Sequence, residues 1–150
     1  MALYDLNNPF HVEQFKLRVA KLLDTKGVVE LTSKKQRSLS QNAYLHCLFA
    51  YMSMRTGYKT DYIKRNWFKY LVNRDIFDNG THYDKHLRCN VMDLKSSADL
   101  TTEQMTTAID RFRDWAAKEA EIYLPSPDDY RAIQQLEIEI SRNTQYVSAH

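Results

Sequence analysis

Apolar residues recur along most of this chain at intervals of three and four, the period of a helix with one apolar face. The first such segment follows Asn8, a residue suited to capping, and takes Pro9 at its first position, where the missing N–H costs nothing. It ends at Gly27 or in the loop after it. The period predicts a helix with one buried face, made of Phe10, Val12, Phe15, Val19, Leu22 and Leu23. Short runs at 2–6 and 28–32, the second β-branched, predict flanking strands and a β-α-β opening.

Two further helices are expected in the middle of the chain. Residues 39–56 keep the helical period up to Gly57, with Leu45, Leu48 and Met52 on the apolar side. Ser38, with Gln41 three residues later, matches a capping box at the start of this helix. The second helix covers 61–72 after Thr60 as its cap. Its expected core positions are Ile63, Trp67, Tyr70 and Leu71.

The remaining segments are less uniform. Residues 74–99 contain turn signals, including one at 78–80, and a possible strand at 87–92. Thr101 and Gln104 form a second capping box, before a helix whose apolar stripe is expected to be core or dimer interface. The run 126–129, Ser-Pro-Asp-Asp, predicts the start of a last helix that ends near Arg142. The predicted fold is α+β: one domain over 1–142, with a small sheet from the N-terminal β-α-β unit, about four further helices, and a frayed tail at 143–150.

Composition favours one helix-rich, packed domain. The 150 residues are 43% hydrophobic and include only three glycines and three prolines. No apolar run approaches the roughly 20 residues that span a bilayer, and the N-terminus lacks a signal-peptide layout. Cys47 and Cys89 have neither the density of a disulfide scaffold nor the spacing of a zinc site, which predicts buried, reduced thiols. We therefore expect a cytoplasmic protein with no membrane association.

Basic charge is concentrated in one part of the sequence. The net charge is only +2, but residues 31–74 carry nine Lys and Arg against one acidic residue. This is the footprint expected for a polyanionic partner, and a helix N-terminus after three cations favours phosphate. Gln41 is either used by the capping box or free to bond a phosphate or base. The predicted nucleic-acid-binding residues are Lys34, Lys35, Arg37, Ser38, Gln41, Asn42, His46, Tyr58, Lys59, Lys64, Arg65 and Lys69.

Aromatic side chains are interleaved with these cations. Binding of single strands without sequence preference needs cations for the phosphates and flat rings for the bases. The interleaved aromatic residues are Tyr44, Tyr51, Tyr58, Tyr62 and Trp67. Tyr58, beside Gly57 at a helix end, is the predicted exposed stacking ring, whereas Trp67 is expected in the core.

Two short segments resemble a known family. The hexapeptide at 37–42, Arg-Ser-Leu-Ser-Gln-Asn, resembles the Arg-Ser-Leu-x-Gln-Asn signature of the phage NinB/Orf recombination mediators. Residues 122–127, Ile-Tyr-Leu-Pro-Ser-Pro, are similar to a run near the end of many relatives, although these carry glycine where Ala120 and Glu121 stand here. The resemblance implies a dimeric α+β accessory protein that binds single-stranded DNA. Such a protein acts beside a single-strand-binding protein and a recombinase or exonuclease, without catalysis, metal or cofactor of its own.

Two other functions fit parts of the sequence. Carboxylates and imidazoles within twelve residues could hold a divalent ion for phosphodiester cleavage, although their spacing matches no ligand motif. They are Asp75, Asp78, His82, Asp84 and His86, with Cys89 nearby. Alternatively, the acidic segment 103–139 could be the protein-facing surface of an adaptor that does not contact DNA, while the basic part binds a partner's acidic tail.

Overall fold

The computed structural model describes residues 3–33 and 39–148, with side chains as far as Asn143. Its elements are helix α1 (Pro9–Thr25), α2 (Gln41–Thr56), α3 (Thr60–Tyr62), which continues directly as a π-helix (Ile63–Val72), α4 (Arg74–Phe77), strands β1 (Asp78–Asp84) and β2 (Cys89–Leu94), a 3₁₀ turn (Ser97–Asp99), α5 (Thr102–Glu119) and α6 (Tyr130–Ser148). The predicted α+β class is confirmed.

The sheet lies in the middle of the chain and not at its N-terminus. β1 and β2 form an antiparallel hairpin, whereas residues 3–6 and 28–32 form no strand in the described part of the chain. The β-α-β prediction was wrong because β-branched composition favours a strand only where a neighbour completes its ladder. The expected turn at 78–80 lies within β1. Gly80 has φ +85° and donates its N–H to Asp78 Oδ1 at 2.9 Å, where the strand register shifts.

The core is built mainly from α2, the π-helix, α5 and α6. Phe49, Phe68 and Phe112 are buried and meet edge to face, with ring centroids 5.3–5.7 Å apart. The predicted apolar side of α2 is buried. The stripe on α5 also belongs to this core, with Met105, Ala108, Ile109, Phe112 and Ala116 buried. Edge-to-face ring packing adds to the large area that each ring removes from water.

The π-helix explains an error in the predicted core positions. Its hydrogen bonds connect residues five apart, so Ile63 and Phe68 share the buried face, and both are fully inaccessible. The 3.6-residue period had instead assigned Tyr70 and Leu71 to the core, and both are exposed. Asn73 follows the last π-helical residue and is itself buried.

α1 is a regular helix without a buried side. Asn8 caps it as predicted, since Oδ1 accepts from Phe10 N at 3.0 Å, and Lys26 rather than Gly27 takes the left-handed conformation at its end. No residue of α1 is buried, so the prediction of a buried face was wrong. The segment before α1 contacts α6, where Gln135 Nε2 donates to Asp5 Oδ2 at 2.9 Å.

The other helix ends differ from the predictions in detail. α2 begins at Gln41, and Ser40 caps it by accepting from Ala43 N at 3.2 Å, so the expected capping box of Ser38 and Gln41 is not the start of this helix. Its end at Gly57, with φ +84°, and the capping box of α5 are confirmed. α6 begins after Asp129, which accepts from Ala132 N, and continues to Ser148, beyond the predicted end near Arg142.

Candidate nucleic-acid interface

A cleft separates the π-helix from the β-hairpin. Its volume is about 420 Å³, within the range of sites that hold one small ligand. The cleft is lined by Asp61, Lys64, Arg65, Lys69, His82, Val91, Met92, Asp93 and Leu94. The structure thus brings three of the predicted binding residues, Lys64, Arg65 and Lys69, into one concave surface. The hairpin supplies the opposite wall, which the sequence reading did not include in a binding site.

Lys69 is a fixed cation in this cleft. Its Nζ donates to the Lys95 carbonyl oxygen at 2.9 Å and lies 5.3 Å from the centre of the Phe77 ring. Partial burial, followed by the charges of Lys64 and Arg65, lowers the pKa of Lys69. An anion in the cleft would offset the mutual repulsion of these three side chains.

An imidazole and a carboxylate meet on the hairpin wall. His82 Nδ1 lies 2.8 Å from Asp93 Oδ1, and the two residues are diagonal neighbours because His82 pairs with Val91 in the strand register. His82 was predicted from the sequence as a possible metal ligand, whereas Asp93 was not predicted to belong to any site. Asp93 stands in the sequence as a single carboxylate between apolar residues, but only the hairpin register shows which side chain it meets.

An aromatic cluster lies at the start of the same helix. Tyr58 and Tyr62 stack with centroids 5.0 Å apart and an interplanar angle of 17°, and Trp67 meets Tyr58 edge to face. Both tyrosines are exposed, as predicted for Tyr58, while Trp67 is half-buried against Trp115. These rings are outside the cleft lining as far as the described residues show. The exposed rings and the cations of residues 58–69 therefore do not share the lining of the cleft.

The other predicted binding residues are dispersed. Asn42 and His46 are exposed on α2, and Lys59 is exposed just before α3, but none of them lines the cleft in the described part of the chain. Gln41 Nε2 donates to Thr106 Oγ1 at 3.0 Å, so its amide joins α2 to α5. Four further predicted residues lie outside the described residues: Lys34, Lys35, Arg37 and Ser38.

A residue just after the first resembling segment contacts the second resembling segment. The Tyr44 hydroxyl, three residues after Gln41, donates to the Pro125 carbonyl oxygen, and burial raises the pKa of Tyr44 to about 12. Ile122 and Leu124 are buried on either side of the exposed Tyr123. Glu121 has φ +55°, the left-handed conformation for which glycine is the usual residue. The loop therefore forms its sharp turn without that glycine.

The acidic and histidine residues considered for a metal site do not gather into a ligand cluster in the described part of the chain. Within residues 3–33 and 39–148, no group of three or more His, Cys, Asp or Glu side chains could hold a metal ion. Arg111 donates twice to Asp75, at 2.8 and 3.0 Å, and this bond lowers the pKa of that carboxyl. Cys47 is half-buried, but Cys89 is exposed, so the prediction of two buried thiols was wrong for Cys89.

Two further findings are negative. Among the helices of the described residues, none combines the length and apolar character needed to cross a membrane. In comparisons with known proteins, no family model, no curated protein and no solved structure matches this chain.

Proposed function

We propose that this protein binds single-stranded DNA without sequence preference, with the cleft between the π-helix and the hairpin as the phosphate-tracking surface. The observation that carries the proposal is the convergence of Lys64, Arg65 and Lys69 on one open cavity. Cations that converge on one surface neutralise successive phosphates and release counterions, which is the main source of affinity in non-specific binding. Asp61 and Asp93 in the lining limit the net positive charge, so modest affinity is expected.

The exposed rings supply the second requirement of single-strand binding. Stacking of a base on an aromatic ring contributes about 1–3 kcal/mol and tolerates every base. Tyr58 and Tyr62 are held in place by Trp67, so little side-chain freedom is lost when a base stacks on them. A strand that leaves the cleft around the start of this helix would meet these rings.

The biological role follows from the family resemblance. A non-catalytic, single-strand-binding accessory protein of phage or prophage type would act in the bacterial cytoplasm with a single-strand-binding protein and a recombinase or exonuclease. It would act as a homodimer. Tyr44, two residues after the hexapeptide, donates to Pro125 of the second resembling segment, so these two parts of the chain are joined in the fold.

Binding of a labelled oligonucleotide, followed by fluorescence anisotropy over a salt series, tests the proposal. The slope of log K against log salt should be about −0.7 for each phosphate neutralised. Lys64→Ala with Arg65→Ala should reduce the magnitude of this slope by about 1.4. The matched control, Arg18→Ala with Lys21→Ala on α1, removes one Arg and one Lys outside the cleft and should leave binding unchanged.

Other results would point elsewhere. If both double variants bind equally well, the cleft is not the site, and Lys35→Ala with Arg37→Ala then tests the upstream cations. No binding at low salt, together with binding of an acidic peptide, would favour the adaptor alternative. Cleaved DNA after addition of magnesium or manganese would favour the nuclease alternative.

A further inference from the structure

The hairpin carries a tip whose shape is fixed by its own hydrogen bonds. Asp84 Oδ1 accepts from His86 N at 2.8 Å and from Leu87 N at 3.0 Å, and Arg88 N donates to the Asp84 carbonyl oxygen at 2.8 Å. The N–H groups of Leu87 and His86 lower the pKa of Asp84, so the carboxylate that organises the turn is ionised at neutral pH. The tip is therefore preorganised before any partner arrives.

This tip presents apolar surface to solvent between cations. Leu87 is 67% exposed and Tyr83 is 60% exposed, and the flanking Lys85 and Arg88 are exposed as well. Burying a leucine side chain contributes about 1.5–3 kcal/mol, so a partner that covers Leu87 would gain affinity. The cations restrict the partner to one with negative charge beside an apolar surface. The end of a nucleic-acid duplex has both, because its last base pair exposes a flat face between phosphates.

The tip and the cleft lie on the same hairpin. His82 and Val91 line the cleft, and two strand residues and the turn separate them from Leu87. At about 3.3 Å for each strand residue, the tip is on the order of 10 Å beyond the cleft. Bases along one strand of a duplex are about 3.4 Å apart, so this distance corresponds to roughly three nucleotides. A strand in the cleft would thus bring an adjoining duplex end to the tip.

We propose that the hairpin tip recognises the junction between single- and double-stranded DNA, with Leu87 stacked as a wedge against the terminal base pair. Lys85 and Arg88, on either side of Leu87, contact the flanking phosphates. Apolar side chains such as leucine act as wedges in other proteins by partly unstacking a base step. This inference rests on the proposed function, because the cleft must hold the single-stranded tail.

The test compares three labelled DNAs by anisotropy: a single strand, a duplex with a single-stranded tail of the same length, and a blunt duplex. The wild-type protein should bind the tailed duplex about tenfold more tightly than the single strand. Leu87→Ala should lose this preference and keep its affinity for the single strand. Leu23→Ala, a leucine that is 71% exposed on α1, is the matched control and should keep the preference.

Two further readouts separate a wedge from a general loss of charge or fold. A 2-aminopurine placed in the terminal pair should brighten on binding of the wild-type protein and not of Leu87→Ala, because unstacking relieves its quenching. Arg88 has φ +57°, so Arg88→Gly preserves the turn while removing one cation. It should reduce the magnitude of the salt slope on the tailed duplex by about 0.9, without abolishing the 2-aminopurine signal.

The outcomes distinguish this inference from the proposed function. Single-strand binding without preference for the tailed duplex would overturn the wedge and leave the proposed function standing. The same holds if Leu87→Ala keeps the preference. Absence of binding to every DNA at low salt would overturn both.

Discussion

Helices α1 and α5 show how differently two similar sequence patterns can be used. The helices have 17 and 18 residues, each has a capped N-terminus, and each carries apolar residues at helical intervals. α5 buries five residues in the core, whereas α1 buries none and leaves Phe10 65% exposed. The difference shows that periodicity specifies a helix and an apolar face, but not the surface that covers the face.

The largest difference in stability is expected between two variants that each lose one phenylalanine, one on α5 and one on α1. Phe112 is fully buried and contacts Phe49 and Phe68, so Phe112→Ala should reduce the free energy of unfolding by about 3–5 kcal/mol. Phe10→Ala should change the free energy of unfolding by less than about 0.5 kcal/mol, because surface substitutions are usually within that range. Urea unfolding measures both. Similar losses for the two variants would contradict the comparison, and a loss for Phe10→Ala that depends on protein concentration would show that a second copy covers α1.

A smaller effect should come from the buried amide that joins α5 to the π-helix. Asn73 Nδ2 donates to the carbonyl oxygens of Phe68 at 2.9 Å and Ala108 at 3.0 Å. Asn73→Ala leaves both acceptors without this donor and should reduce the free energy of unfolding by about 1–3 kcal/mol. Asn90→Ala on the exposed start of β2 is the control, with an expected change of less than about 0.5 kcal/mol. Equal urea midpoints for the two variants would show that the buried amide of Asn73 stabilises the fold no more than the exposed amide of Asn90 does.

The smallest effect concerns the ends of the two helices. Lys26 directly follows α1 with φ +53°, and Glu121 lies two residues beyond the end of α5 with φ +55°, so each holds a side chain in the left-handed region. Glycine removes this strain, and Glu121→Gly should raise the free energy of unfolding by up to about 1 kcal/mol. Lys26→Gly should leave the main thermal transition unchanged, because α1 contributes no buried residue to the core. A larger rise in the midpoint of thermal unfolding for Lys26→Gly than for Glu121→Gly would show that the end of α1 contributes more to stability than the end of α5.

Different parts of the structure were predictable to different degrees. The helix starts at Pro9 and Thr102 and the end before Gly57 were predictable because a cap, a proline or a glycine determines them locally. The prediction of N-terminal strands was wrong because strand formation depends on a partner elsewhere in the chain. The prediction that residues 70 and 71 belong to the core was wrong because no local signal distinguishes a π-helix from an α-helix. Of the residues that line the cleft, the cations of the helix were predicted and the hairpin wall was not.

The sequence by itself determined the helical character of the chain, the N-caps of α1 and α5 and the concentration of positive charge in residues 31–74. These properties depend on neighbouring residues or on composition alone. The tertiary structure decided which apolar faces are covered, that His82 lies against Asp93, and that Lys64, Arg65 and Lys69 line a cleft opposite the hairpin. Each of these depends on contacts between residues distant in sequence, and their energies exist only once the packed elements bring the partners together.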